Sequence, residues 1–140
     1  MLKISSQTKT RHYRQHIEKN PLDVDAHLQI GIILAKLGDR AEAMKYFDKA
    51  ISLQPNNAAA LNNRGNLLMI DDKYEEAQRA YREATRVNPE DAYIWINLAK
   101  AYKAVNAIKE AKEAFLKAQN LDVNIKKKYK ALGLELSNTL

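Results

Sequence analysis

Residues 24–57 read VDAHLQIGIILAKLGDRAEAMKYFDKAISLQPNN, and the 34 residues after them, AAALNNRGNLLMIDDKYEEAQRAYREATRVNPED, repeat the pattern. Residues 92–125 repeat it once more. A fixed period of this length marks an array of stacked helical units, and every other reading of the chain follows from it. Pro21, Pro55 and Pro89 stand one period apart, as do Ala43, Ala77 and Ala111, and Ala50, Ala84 and Ala118. Gly31, Gly65 and Ala99 form a small column, Phe47, Tyr81 and Phe115 an aromatic one, and His27, Leu61 and Trp95 a bulky one. Leu34, Leu68 and Tyr102 make a further column, and Leu53, Val87 and Leu121 another.

Each period reads as two helices. Ile30, Leu34 and Leu37 keep helical spacing until Gly38-Asp39 interrupts them. Ala43, Phe47, Ala50 and Ile51 share a second face, which ends at Gln54-Pro55-Asn56-Asn57. Asp39 with Glu42 reads as a capping box, and Asp72 with Glu75 as the same device one unit on. Asn106 is followed by Lys109, so the third box is incomplete. The small columns let paired helices approach closely, with the aromatic column filling the space beside them. No pair buries its apolar face alone, so each unit depends on its neighbours.

Composition agrees. Of the 140 residues 46% are hydrophobic, enough for a core, and Gly at 4 and Pro at 3 are too few for a turn-rich β fold. The lack of cysteine excludes disulfides, thiolate zinc sites and cysteine nucleophiles. No apolar run approaches the ~20 residues of a membrane span, and residues 1–20 are too polar for a signal peptide. The expected setting is therefore cytoplasmic, with no membrane contact. The net charge of +6 sits at the two ends, on Lys3, Lys9, Arg11, Arg14 and Lys19 and on Lys126, Lys127, Lys128 and Lys130, with a nearly neutral middle. Such runs are read first as solvated helices and only second as a nucleic-acid footprint. There is no phosphate-binding glycine loop, no serine nucleophile motif and no carboxylate cluster beyond helix starts, so neither an enzyme nor a cofactor is expected. His12 and His16 share a helix face, but no Glu follows His12 and the only other histidine is His27, so no metal site is expected either.

The bulky, Leu/Ile, Gly/Ala, Leu/Tyr, Ala, aromatic, Ala and Pro columns closely resemble the tetratricopeptide repeat. That resemblance implies an all-α fold, a right-handed α-solenoid of antiparallel helix pairs. It divides a single domain, 1–140, into a half-repeat over 1–23, full repeats over 24–57, 58–91 and 92–125, and a C-terminal capping helix over 126–140. Tyr13, Ile17 and Pro21 fit the second helix of a preceding unit, and Tyr129, Leu132, Gly133 and Leu136 the first helix of a following one. Departures are His16 in a small column, Val123 in place of proline, and Arg64 in a column otherwise Ile30 and Leu98. Arg64 either contacts an anion or packs its stem while its head pairs with a carboxylate on a neighbouring helix; the second is expected.

The resemblance also implies a protein-interaction scaffold with a concave groove lined by the first helices. Carried over, that groove holds Asp25, Gln29, Ile32 and Lys36, then Asn62, Asn63, Asn66, Met69 and Ile70, then Tyr93, Ile96, Asn97, Lys100 and Lys103. The expected peptide-binding residues are Gln29, Asn62, Asn63, Asn66, Tyr93, Asn97, Lys100 and Lys103. Gln29, Asn63 and Asn97 share one column, and a side-chain amide both donates and accepts, which suits the main chain of an extended peptide. Asn66, Asn97 and Lys127 match the pattern by which some related repeats grip a C-terminal carboxylate, whereas Asn62 and Ala131 stand where basic residues belong. Lys100, Lys103 and Lys127 favour an acidic peptide by charge alone. Trp95 belongs to the bulky structural column, and Tyr93 points elsewhere. The expected partner is a protein or peptide. Alternatives are self-association through the terminal half-repeats, which would cover Tyr13 and Ile17, and a nucleic-acid-binding repeat, for which Asp25, Asn63 and Asn66 leave no continuous basic stripe.

Overall fold

The computed structural model describes residues 5–139, so Lys3 of the basic N-terminal end lies outside the described residues. The helices are α1 (Ser6–Lys19), α2 (Val24–Lys36), α3 (Arg40–Leu53), α4 (Ala58–Ile70), α5 (Tyr74–Val87), α6 (Ala92–Ala104), α7 (Ile108–Leu121), α8 (Ile125–Lys128) and α9 (Lys130–Ser137). There is no strand among the described residues. The arrangement is an all-α solenoid: α2 packs on α3, α4 on α5 and α6 on α7, and each pair stacks on the next through α3 on α4 and α5 on α6.

The small and aromatic columns meet as their spacing requires. A Cβ placed on Gly31 would lie 2.6 Å from the Phe47 ring, and one on Gly65 2.6 Å from the Tyr81 ring. Ala43, Ala50, Ala77, Ala84, Ala99, Ala111 and Ala118 are fully buried at the helix contacts. One core cluster gathers Ile30, Leu34, Phe47 and Leu67, with Tyr13 and Ile17 of α1 packed against it. A second runs from Leu68 and Tyr81 through Ile96 and Phe115 to Leu132 and Leu136 of α9.

The turns inside each unit correct the capping assignment. Gly38, Asp72 and Asn106 stand one period apart and all have positive φ, 86°, 57° and 61°. Each ends a first helix in a Schellman motif. The N–H groups of Asp39, Lys73 and Ala107 donate to the carbonyls of Leu34, Leu68 and Tyr102, each at 2.9 Å. Asp72 therefore closes α4 and does not cap α5, whose N-cap position is Lys73, without a side-chain hydrogen bond; α7 likewise has Ala107 at its N-cap. The Asp72 carboxylate accepts from the Tyr74 hydroxyl instead, at 2.7 Å. Asp39 does cap α3, accepting from the Glu42 N–H at 3.2 Å, but the Glu42 carboxylate is held by Arg14 at 2.6 Å, so the box is one-sided. First helices carry a regular cap the sequence reading overlooked: Asp23, Asn57 and Asp91, one period apart, each accept a backbone N–H.

The C-terminal segment, expected as one helix over 126–140, is broken at Tyr129 (φ −114°, ψ 38°) into α8 and α9. Upstream of it Val123, in the place of proline, is 86% exposed. Leu132 and Leu136 still bury as a first helix would, and Gly133 lies against Phe115.

Candidate peptide-binding groove

The residues that the tetratricopeptide resemblance assigns to a groove lie on α2, α4 and α6. Their amides share a phase but not a task. Gln29 donates to Asp25 of its own helix at 3.4 Å, and Asn63 donates to the Ala59 carbonyl at 2.9 Å. Asn97 reaches across units to the Asn62 side-chain oxygen at 2.9 Å, tying α6 to α4. Asn66 turns inward, its oxygen accepting from the Tyr81 hydroxyl at 2.6 Å. Burial pushes the Tyr81 phenol far above its ordinary range, so it stays a neutral donor. Ile96, expected on the groove, is in the core at 1% exposure. Ile32 and Met69 are half-buried against the core, while Ile70 is 60% exposed at the end of α4.

Tyr93, Lys100 and Lys103 come together with Lys128, Tyr129 and Glu135, which the sequence reading did not place in the groove. Lys128 Nζ lies 4.6 Å from the Tyr93 ring centroid and donates to the Tyr93 hydroxyl at 3.2 Å. Tyr93 meets Tyr129 edge to face at 6.5 Å, and Lys100 Nζ sits 5.0 Å from the Tyr129 centroid. The Tyr93 hydrogen bond is the largest influence holding the Lys128 ammonium above its ordinary pKa. Lys103 is ion-paired with Glu135 of α9. Lys127, on α8, is exposed. Extending the bulky column one period past Trp95 reaches Tyr129, and that signal was available in the sequence.

The remaining candidates are structural. Arg64 Nε pairs with Asp48 of α3 at 2.8 Å, as expected of a packed stem with a paired head. Trp95 donates its indole N–H to the Pro89 carbonyl at 2.9 Å, and His27 uses Nε2 in the same way on Pro21 at 2.8 Å. His16 is paired with Asp23 at 2.7 Å, and that hydrogen bond is the main cause of the lowered Asp23 pKa. Among the described residues no three His, Cys, Asp or Glu side chains come close enough to hold a metal, and no helix is long and apolar enough to cross a membrane.

Models of the tetratricopeptide repeat match residues 24–57, 46–79 and 92–124, and a TPR repeat model matches 65–106. The human protein O-mannosyl-transferase TMTC3 is 36% identical over 75 residues, 54% of this chain and 8% of that protein. Among the curated relatives it matches, the chain spans from 8% to about half (52%) of their length. The solved structure of MamA from Desulfovibrio magneticus RS-1 superposes with a TM-score of 0.79 at 26% identity, over 95% of this chain and 82% of that one. YrrB, described as a TPR protein with an unusual peptide-binding site, superposes with a TM-score of 0.81 at 23% identity, over 90% and 65%, and shares the fold.

Proposed function

This chain belongs to the tetratricopeptide repeat family, and from that premise we propose that it holds a peptide segment or a partner's helix along the exposed faces of α2, α4 and α6. The observation that carries the reading is the exposure of Tyr93 (44%) and Ile70 (60%) on first helices whose other large apolar groups are packed. Tyrosine is among the residue types enriched at the anchoring positions of interfaces, and Tyr93 is presented on a rigid helix. Gln29, Asn62, Asn63, Asn66, Tyr93, Asn97, Lys100 and Lys103 are the proposed contacts. Asn66 and Asn97 act by exchanging a present partner for a ligand group, since their amides are already engaged. The role is binding without catalysis. The transferase activity in the human relative's name belongs to a protein of which this chain matches 8%.

The test starts from a partner recovered from native lysate. Its affinity is then measured for the wild type, Tyr93→Ala, Asn63→Ala and the second-helix control Lys49→Ala, with thermal melting beside each. Tyr93→Ala should weaken binding about tenfold, the loss of an interface anchor of 1–2 kcal/mol or so. Equal affinity for all four would move the binding surface off these helices.

A second reading, self-association, is favoured by one observation. Leu116 and Leu134 are 56% and 53% exposed at the α7–α9 end. Sedimentation at rising concentration checks it, and a Leu134→Lys variant that sediments as the wild type does removes it.

A further inference from the structure

The cleft between α6 and the C-terminal helices has a volume of about 480 Å³ and is lined by Lys100, Lys103, Lys128, Tyr129, Leu132 and Glu135. Its three cations are each satisfied from within, but not in the same way. Lys100 and Lys128 lie over tyrosine rings, which leaves ammonium N–H groups free to donate elsewhere. Lys103 is instead engaged by the cleft's one carboxylate, Glu135. Both members of that pair depart from their columns. The period mates of Lys103 are Ala35, Met69 and Ser137, and those of Glu135 are Ile33, Leu67 and Ala101, none of them charged. Two charges in columns that are otherwise uncharged, on adjacent first-type helices, have come to face each other.

We propose that this cleft takes a carboxylate side chain of an acidic peptide, and that Glu135 is a resident competitor which the ligand displaces from Lys103. The proposal deepens the groove reading and rests on it. Glu135 itself shows that a carboxylate carried on a polypeptide fits against Lys103. The side chains of Lys103 and Glu135 are 37% and 54% exposed, and an exposed pair of this kind contributes little, so it yields to a ligand that also reaches Lys100. Lys126, Lys127 and Lys130 add positive potential along the same segment, whereas the α2 end of the groove carries Asp25. The acidic part of the ligand therefore lies toward α9. A nucleic acid is disfavoured here because the faces on which bases would stack are already covered by lysines.

The experiment uses the full chain and a fluorescein-labelled decapeptide carrying glutamates, with its glutamine counterpart and an oligothymidine as comparison probes, near physiological salt. Anisotropy gives affinities for the wild type, Glu135→Gln, Lys103→Gln, the double variant, and Glu83→Gln, which removes an equal charge from α5. Glu135→Gln should tighten the acidic peptide about 2- to 5-fold, the range of an exposed pair. Glu83→Gln should leave it unchanged, and the gain should vanish when Lys103 is Gln. The proposal is overturned by an equal gain from Glu83→Gln, by a gain that persists without Lys103, by no binding of the acidic peptide, or by an equal gain for oligothymidine. A native partner that responds to Tyr93→Ala but not to Glu135→Gln would retain the groove reading and remove this one.

Discussion

Gly65→Ala is the sharpest test of the packing. At an ordinary helix position the change stabilises by about 0.5–1 kcal/mol, because glycine loses more backbone freedom on folding. Here the new Cβ would lie 2.6, 2.8 and 2.9 Å from Cε1, Cδ1 and Cζ of Tyr81. Carbon atoms prefer ~3.5–4.0 Å, so the ring would have to retreat by roughly 1 Å. Tyr81 has nowhere to go: it is 2% exposed, and its hydroxyl is tied to Asn66 at 2.6 Å. Overpacking of this kind costs about 1–3 kcal/mol, and the helix gain offsets only part of it, leaving a net loss of about 0.5–2 kcal/mol. Urea unfolding is the assay, with the slope followed as well as the midpoint, since repeat arrays can lose cooperativity. Gly133→Ala is the control. Its Cβ would lie 3.2 Å from Phe115, a contact that a few tenths of an ångström relieves, so its stability should stay within about 0.5 kcal/mol of wild type. Adding Tyr81→Leu should remove most of the Gly65→Ala penalty, because the clash needs the ring. A Gly65→Ala protein as stable as the wild type would refute the reasoning.

Gly38→Ala should cost about 1 kcal/mol although nothing lies within 4 Å of the new Cβ, because φ is 86°; Gly38→Asn should cost less, and the same urea titration reads both. Asn97→Ala should lower stability by about 0.5–1.5 kcal/mol, since it leaves the Asn62 oxygen without its donor, so for this residue a binding loss must be read against the melting curve. Burial raises the Tyr81 phenol pKa, so its contribution to stability is complete below the ordinary tyrosine value of about 10 and is lost above it, as the unfolded chain ionises first. Tyr81→Phe should therefore lose less stability than wild type between about pH 9 and 11, measured by urea midpoints across that range.

Most of the fold was legible because packing obeys the period. Gly31 with Phe47 and Gly65 with Tyr81 repeat one contact, and the two columns that make it can be read by counting. Arg64 was legible for a different reason: a guanidinium in an apolar column needs a carboxylate on a neighbouring helix, and Asp48 supplies it. The capping assignment failed where chemistry was weighed above phase. Aspartate suits two places, the N-cap, where it accepts a backbone N–H, and the left-handed helix end, which it tolerates better than most residues. Counting by the period would have put Asp72 with Gly38 and Asn106, not with Asp39.

The amide column shows why the candidate site was harder to read than the fold. Phase fixes which way Gln29, Asn63 and Asn97 point, but the partner each finds is set by a residue in another column, one unit back. Asn97 finds Asn62 there. The corresponding residue for Asn63 is Leu28, which offers no acceptor, so Asn63 falls back on the Ala59 carbonyl of its own helix. The deciding residue is Asn62, polar in a column that holds Leu28 and Ile96 in the other two full repeats. Lys103 and Glu135 follow the same rule, each a charge among uncharged period mates and each paired with the other. In a repeat array the residues that keep the period build the scaffold, and they are alike in every unit. What distinguishes one end of the groove from the other must therefore lie in the departures, where a polar group stands in an apolar column and takes its partner from whichever departure lies within reach.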